Sequence, residues 1–245
     1  MVQQLDPEVA ALLELLESGG EPREGELTRL LRRPGCPGVV VERLSKCPWV
    51  LTSHRVLQLV VRHPRCPRHF AWDALPRLGW HDLLEVGRDP RTQPAIRKQS
   101  ERKLIERIVN LTLGERTALA RQAPRALIAI LLTDEQPVCV EALLSNPQFT
   151  EMEALRLLNS NRNPKCVLVL LRHPVWGRRP EVLRSAVRSR IVPLGVALGL
   201  LALLPETELV GLATSAEVDG RLRDAANRLL SQRHAETSGE AAAPS

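Results

Sequence analysis

The chain has 245 residues, of which 44% are hydrophobic and 25% charged, and this composition excludes an intrinsically disordered protein. Aromatic residues make up only 2%, with four Trp, two Phe and no Tyr. The core must therefore be built from Leu, Val, Ile and Ala, which favours helices over sheets, and the net charge of +6 favours anionic partners.

The chain begins with a predicted capping helix. Asp6, Pro7 and Glu8 supply an N-cap, a proline at the first helical position and an acid in the first turn, and an apolar stripe follows. We expect this helix to end at Gly19-Gly20. Residues 1–24 are therefore predicted to form an N-terminal capping helix and linker.

Prolines then recur at intervals that indicate a repeat. Arg33-Pro34-Gly35-Cys36-Pro37 returns as His63-Pro64-Arg65-Cys66-Pro67, and Asp89-Pro90 begins a third copy. The intervals from Pro34 to Pro64 and from Pro64 to Pro90 are 30 and 26 residues, the length of one helix pair with its turns, so a stacked helical array is expected. The pairs predicted in this half are 37–46 with 52–61, 66–75 with 80–86, and 93–109 with 113–121.

The second half keeps this rhythm with different signals. Thr112, Thr133 and Thr150 each stand three residues before a Glu or Gln, the pattern of a capping box. Asn-Pro and His-Pro supply the stops, because a residue before proline disfavours the helical region. Further helices are predicted at 124–132, 136–145, 151–158, 164–171, 180–190, 194–203, 206–213 and 216–232. The residues after Arg233 are small and polar, so one repeat domain is predicted over 25–233 and a disordered tail over 234–245.

Two segments carry a family resemblance. They run from His63 to Leu84 and from Glu135 to Leu158, and both contain short helix pairs with His-Pro or Asn-Pro at the junction. Over roughly residues 30 to 215 the chain resembles HEAT-like repeats of the leucine-rich repeat variant type. This resemblance implies an all-α fold, a right-handed α-solenoid of about six to eight stacked helix pairs, and says little about activity.

Charge is spread unevenly along the chain. Residues 1–28 hold seven acids and one Arg, and 234–245 hold two acids, so residues 29–233 carry 33 basic and 19 acidic groups, a balance of +14. The densest basic cluster falls between 172 and 190, where Glu181 is the one opposing acid. We predict that this cluster binds an anionic partner. Its members are Arg172, Trp176, Arg178, Arg179, Arg184, Arg188 and Arg190.

A helix over 180–190 would bury a stripe of four apolar residues and leave Arg184 and Arg188 one turn apart outside it. The stripe comprises Val182, Leu183, Ala186 and Val187. Guanidinium groups suit both phosphates and carboxylates, so nucleic acid and an acidic protein segment are both candidate ligands. A solvated arginine face without a ligand is the third interpretation.

A second basic stripe lies in the predicted helix 93–109. It contains Lys98, Arg102, Lys103 and Arg107. Because Glu101 and Glu106 interrupt it, ordinary surface pairing is expected there. Proteins that bind single-stranded nucleic acid usually add stacking aromatics, but the spacing of the four Trp residues within the repeats suggests core packing. Nucleic-acid binding would then act through phosphate contacts.

Signatures of catalysis and of metal binding are weak. The five cysteines form no C-x-x-C pair and are expected to be reduced, packing thiols. His63, Cys66 and His69 lack the paired spacing of a zinc site, and no phosphate-binding glycine loop, H-E-x-x-H or G-x-S-x-G motif is present. We therefore predict no cofactor, no metal and no enzyme.

Localisation and function follow from these absences. The first residues lack a secretory pattern, and the longest apolar run, Ile191 to Leu204, is too short to span a bilayer. We expect a cytosolic, non-catalytic scaffold or adaptor that binds an acidic protein segment, with nucleic-acid binding as the alternative and no membrane partner. The sequence leaves the oligomeric state open.

Overall fold

The computed structural model describes residues 6–33 and 35–240, with side chains through Ala235. Within these residues the chain is all-α, with sixteen α-helices, four short 3-10 helices and no strand. Contacts divide it into two units that meet in sequence between Leu111 and Thr112. Pro34 of the first proline motif and residues 241–245 of the predicted tail lie outside the described residues.

The first unit contains seven α-helices within its described part. They are α1 Pro7–Glu17, α2 Glu24–Arg32, α3 Gly38–Leu44, α4 His54–Arg62, α5 Arg68–Ala74, α6 Trp80–Arg88 and α7 Pro94–Arg107. Three 3-10 helices accompany them, at Pro48–Leu51, Leu75–Arg77 and Ile108–Asn110. Helix α2 contacts α4 and α4 contacts α6, while α1 contacts α3 and α5 contacts α7. Each of these helices thus packs against the helix two positions away along the chain.

The second unit contains nine α-helices among the residues that are described. They are α8 Leu113–Ala120, α9 Arg125–Leu131, α10 Pro137–Leu144, α11 Glu151–Ser160, α12 Pro164–Arg172, α13 Pro180–Arg188, α14 Leu194–Leu201, α15 Glu206–Thr214 and α16 Gly220–Glu240. Trp176–Arg178 is a 3-10 helix. The same alternation holds, because α10 contacts α8 and α12, α11 contacts α13, and α14 contacts α16. Over residues 6–33 and 35–240, the predicted all-α architecture of pairwise packed helices is therefore confirmed.

The helices form where an apolar stripe and a terminating signal coincide. Helix α13 begins with Pro180 at its first position and buries the four apolar residues predicted from the sequence. Helix α4 buries Val56, Leu57, Val60 and Val61 and ends before His63-Pro64. Burial of such stripes between neighbouring helices forms the core of each unit.

Hydrogen bonds about one repeat apart join consecutive junctions. Asn161 is buried, and its Oδ1 accepts from the Asn163 N–H at 2.9 Å while its Nδ2 donates to the carbonyls of Leu132 and Asp134, both at 2.9 Å. Asn146 likewise accepts from the Gln148 N–H and donates to the carbonyl oxygen of Ala120. Each side chain shapes its own turn and fastens it to the preceding one.

Histidine performs the same double task in the first unit. His63 is buried, its Nδ1 accepts from the Arg65 N–H at 3.1 Å, and its ring hydrogen-bonds the Cys36 backbone. Burial, together with the nearby Arg65 and Arg91, lowers the pKa of His63, although its bond to Cys36 opposes the shift. A neutral imidazole provides one N–H donor and one acceptor nitrogen, so like the amide of asparagine it can both donate and accept.

A carboxylate occupies the next junction of the first unit. Asp89 is buried and accepts hydrogen bonds from Arg62 Nε at 2.9 Å and from the backbone and guanidinium of Arg91. Burial opposes ionisation, but the bonds from Arg91 and Arg62 outweigh it and lower the pKa of Asp89 to about 2. Arg62, at the end of α4, thereby connects two junctions.

Several element boundaries differ from the sequence prediction. The capping boxes at Thr112 and Thr150 are confirmed. The one at Thr133 is wrong, because α10 begins at Pro137 with Gln136 as its N-cap. The last helix begins at Gly220 and continues to Glu240, seven residues into the segment 234–245 for which a disordered tail is predicted. The predicted domain boundaries stay predictions.

Candidate functional site

The candidate site in the second unit is an open groove of about 500 Å³ lined by α11, α13 and α15. Its lining residues are Leu155, Asn159, Glu181, Arg184, Ser185, Arg188, Ser189 and Glu208. Two of the seven predicted partner-binding residues, Arg184 and Arg188, thus lie in one groove. They stand one turn apart on α13, outside its buried stripe, as predicted. We call this feature the arginine groove.

Carboxylates neutralise part of this groove. Arg184 donates to Glu181 Oε1 at 2.6 Å and to Glu208 Oε1 at 3.2 Å, while an Nη of Arg188 lies 4.0 Å from Glu208 Oε2. The Arg184 side chain is 36% exposed and that of Arg188 is 55% exposed. Of the two arginines in the groove, Arg188 is therefore the more accessible to a ligand.

Glu208 lines the candidate site but is not among the residues predicted from the sequence. The sequence shows Glu181 as the one acid near the cluster, whereas α15 brings a second acid onto Arg184. Their separation of 24 residues is close to one repeat. A search for opposite charges about one repeat apart could have found this pair, since Arg62 and Asp89 follow the same rule at 27 residues.

The remaining predicted arginines lie outside the groove. Arg172 ends α12. Arg178 and Arg179 directly precede α13, so the length of that helix, about 13 Å, separates them from Arg188. Arg190 follows the end of α13 and lines an adjoining cavity with Glu217 and Asp219, whose lining also includes Arg188 and Ser189 of the groove. All four are exposed, and no carboxylate oxygen among the described residues lies within 4 Å of their side-chain nitrogens.

Trp176 is a structural anchor. Its indole N–H donates to the Leu144 carbonyl at 3.2 Å, and its ring meets Phe149 edge-on with centroids 5.2 Å apart. The Arg179 guanidinium lies 6.0 Å from the centre of the same ring. Core packing is thus the role of Trp176, whereas Trp72, for which the same role is expected, is 42% exposed.

The secondary basic stripe on α7 is divided. Lys98 and Arg102 are exposed, while Lys103 pairs with Glu106 at 2.8 Å, as expected for surface pairing. Arg107 differs because its guanidinium donates to the carbonyls of Pro76 and Leu78. Arg233 on α16 does the same to Ala202 and Leu204, both at 2.9 Å. Arg107 therefore fastens a junction and is not free for a ligand.

The thiols have the character of packing groups. Burial raises the pKa of Cys66 and Cys139 to about 12 and also raises that of Cys36 and Cys166. Such thiols stay protonated near neutral pH and are poor nucleophiles. Among the residues that the structure describes, no group of three or more His, Cys, Asp or Glu is placed to hold a metal ion.

The apolar helices bear on the question of membrane spanning. No helix in the described part of the chain combines the length and the hydropathy that a bilayer crossing requires. The apolar run 191–204 contains only the eight-residue helix α14, in which Ala197 and Leu201 are buried.

Together these features define a class of protein. It is all-helical, and its helices pack in pairs. Hydrogen bonds join junctions that lie about one repeat apart, and one groove is lined by arginine and glutamate. Comparisons with protein-family models, with curated proteins and with solved structures find no match. The class is therefore defined by the chain's own residues, and no family is assigned.

Proposed function

We propose that the helix pairs of each unit are HEAT-like repeats of the leucine-rich repeat variant type, stacked as in a right-handed α-solenoid. The support is the spacing of the helices, since α3, α5 and α7 begin at Gly38, Arg68 and Pro94. Contacts between every second helix and hydrogen bonds one repeat apart agree with stacking.

We further propose that the protein is a cytosolic, non-catalytic scaffold whose arginine groove binds an acidic protein segment. The observation that supports this most is the position of Arg188, which is more than half exposed and lies 4.0 Å from its nearest carboxylate. A carboxylate from a ligand can therefore approach Arg188 more closely than Glu208 does. Asn159, Ser185 and Ser189 add polar groups to the same groove for the backbone of an extended segment.

The two glutamates favour a protein ligand over nucleic acid. Glu181 and Glu208 would repel a phosphate backbone, in which every nucleotide carries a charge. An acidic protein segment can instead place one carboxylate on Arg188 and neutral residues beside the glutamates. The groove lining also contains no aromatic ring on which a base could stack.

The test compares two classes of ligand on two variants. Binding of a fluorescent peptide in which single glutamates are separated by neutral residues, of a DNA duplex and of a DNA single strand is measured by anisotropy at low and near-physiological salt. We expect Arg188→Ala with Arg184→Ala to weaken peptide binding about tenfold, a loss of about 1.4 kcal/mol. The matched control is Lys98→Ala with Arg102→Ala, which removes the same charge from α7 and should leave the peptide affinity nearly unchanged.

Each outcome decides between the alternatives. Nucleic acid that binds more tightly than the peptide, and loses affinity in the groove variant, would replace the proposal with the nucleic-acid alternative. Equal losses in both variants would mean that general basic charge, and not the groove, attracts the peptide. An absence of peptide binding to the unaltered protein would contradict the proposal.

A further inference from the structure

An apolar cleft with acidic edges lies between α1 and α2 in the first unit. It encloses about 220 Å³. Its walls are Ala11, Leu12, Leu15, Pro22 and Leu30, and its charged lining residues are Glu8 and Glu26. Leu15 is 40% exposed, so the apolar wall is open to an incoming side chain.

Residues 6–33 around this cleft hold seven acids and four arginines, of which Arg23, Arg29 and Arg32 have no carboxylate partner among the described residues, and the cleft lining itself contains two acids and no cation. Glu8 pairs with Arg33 at 2.9 Å and Glu17 pairs with Arg43 at 2.6 Å. Three further acids, Glu14, Glu21 and Glu26, are exposed and have no cationic side chain within 4 Å among the described residues. The complement of such a cleft is an apolar side chain flanked by cations.

The second unit of the same chain presents a surface with that chemistry. Val175, between α12 and α13, is 50% exposed. Arg172, Arg178 and Arg179 surround it in sequence, and all three are exposed without a carboxylate partner in the described part of the chain. Trp176 holds this junction in place through its bond to the Leu144 carbonyl, so Val175 and its flanking cations are presented on a rigid turn.

We propose that the junction 172–179 of one copy docks Val175 into the α1–α2 cleft of a second copy. The contact joins two different surfaces, acidic with basic, so it either repeats head to tail or, where a two-fold axis forms both contacts at once, closes a dimer. In either case the mass should rise with concentration above that of the monomer. This self-association uses residues outside the arginine groove and does not depend on the function proposed for that groove.

The experiment measures mass against concentration by light scattering and sedimentation for the full chain at low and high salt. Two charge-reversal variants are compared with it, namely Glu21→Lys with Glu26→Lys, and Arg172→Glu with Arg178→Glu. Each variant alone should need at least about tenfold higher concentration to associate, because like charges then face one another. An equimolar mixture of the two variants should regain association, because each reversed surface then meets an opposite one.

Two control variants distinguish this contact from general charge attraction and from binding at the arginine groove. Glu141→Lys with Asp224→Lys makes the same change in net charge as the cleft variant, on exposed parts of α10 and α16, and should associate as the unaltered chain does. Arg184→Ala with Arg188→Ala should also retain association, even if it loses the acidic peptide. A monomer at all concentrations, or a mixture of variants that stays monomeric, would overturn the proposal, and binding of the cleft to a foreign basic peptide alone would replace it.

Discussion

At the scale of single residues, three junctions between helices contain a side chain that both accepts and donates a hydrogen bond, whereas Asp89 at a fourth junction only accepts. Asn146, Asn161 and His63 each accept from a backbone N–H two residues ahead, and each bonds a backbone group about one repeat earlier. A buried backbone group left without a partner costs about 1–3 kcal/mol. These side chains therefore link local turn geometry to the packing of repeats.

We expect Asn161→Ala to lower the free energy of unfolding by about 2–3 kcal/mol, because two carbonyls and one N–H lose their partner. Asn161→Asp should cost at least as much, since aspartate keeps the turn acceptor but cannot donate to Leu132 and Asp134. Urea unfolding measures both. Asn159→Ala, on the exposed face of α11, is the control and should stay within about 0.5 kcal/mol. Equal effects at the two positions would refute the junction account.

The lowered pKa of His63 predicts how the stability of the protein depends on pH. An unfolded histidine titrates near pH 6.5, and burial holds the pKa of folded His63 below that value. The folded state therefore binds the proton less readily, so the contribution of His63 is complete above pH 6.5 and is lost as the pH falls from there toward its folded pKa.

The test is His63→Asn, which retains a donor and an acceptor but does not titrate. Urea unfolding at several values between pH 7.5 and 5 should show a smaller loss of stability in the variant than in the unaltered protein. His173, whose pKa is also lowered by burial, stays in both proteins and accounts for part of the remaining slope. Identical slopes would show that His63 is not the group that titrates.

Only part of the role of these residues can be predicted from the sequence. His-Pro and Asn-Pro are visible as helix stops, because the effect of proline on the preceding residue is local. The bond from Asn161 to Leu132 and the pairing of Arg184 with Glu208 depend on the register of stacked helices. That register is determined by tertiary packing and not by residues adjacent in sequence. Glu208 and the anchoring role of Arg107 are therefore not predicted from the sequence.

At the scale of the helices, apolar periodicity predicts structure more reliably than the capping-box pattern does. The buried stripe of α13 agrees with the prediction at each of its four positions. The start predicted at Thr133 failed because Pro137, fixed in a helical φ, begins α10. Where a capping pattern and a proline compete for a helix start, the covalent restriction of proline decides.

One glycine shows how closely neighbouring helices approach. Gly177 is buried in the 3-10 helix Trp176–Arg178, which follows α12, and a Cβ atom there would overlap the Leu171 carbonyl of α12. We expect Gly177→Ala to destabilise the protein by at least about 2 kcal/mol, because backbone must shift to admit the methyl group. Thermal and urea unfolding measure this change.

Gly199 in α14 provides a control of opposite sign. A Cβ atom at Gly199 meets nothing within 4 Å, so Gly199→Ala should raise stability by about 0.5–1 kcal/mol through helix propensity alone. Destabilisation of similar size by both substitutions would mean that the close approach at Gly177 is not what excludes a side chain there.

At the scale of the whole molecule, the net charge of +6 is the sum of one acidic surface and one basic surface in different parts of the chain. Acids concentrate around the first helix pair, and exposed arginines concentrate between 172 and 190. Composition revealed this asymmetry, but only the structure separates the arginines into a partly neutralised groove and an exposed junction. The two proposals for binding follow from that separation.

The most direct measurement of the central claim is hydrogen exchange of the protein with and without the peptide of glutamates separated by neutral residues. The arginine groove is built from Glu151–Ser160, Pro180–Arg188 and Glu206–Thr214, so we expect slower exchange in these three segments when peptide is bound. Protection that falls instead on Pro94–Arg107, or an exchange pattern unchanged by the peptide, would contradict the assignment of the groove as the binding site.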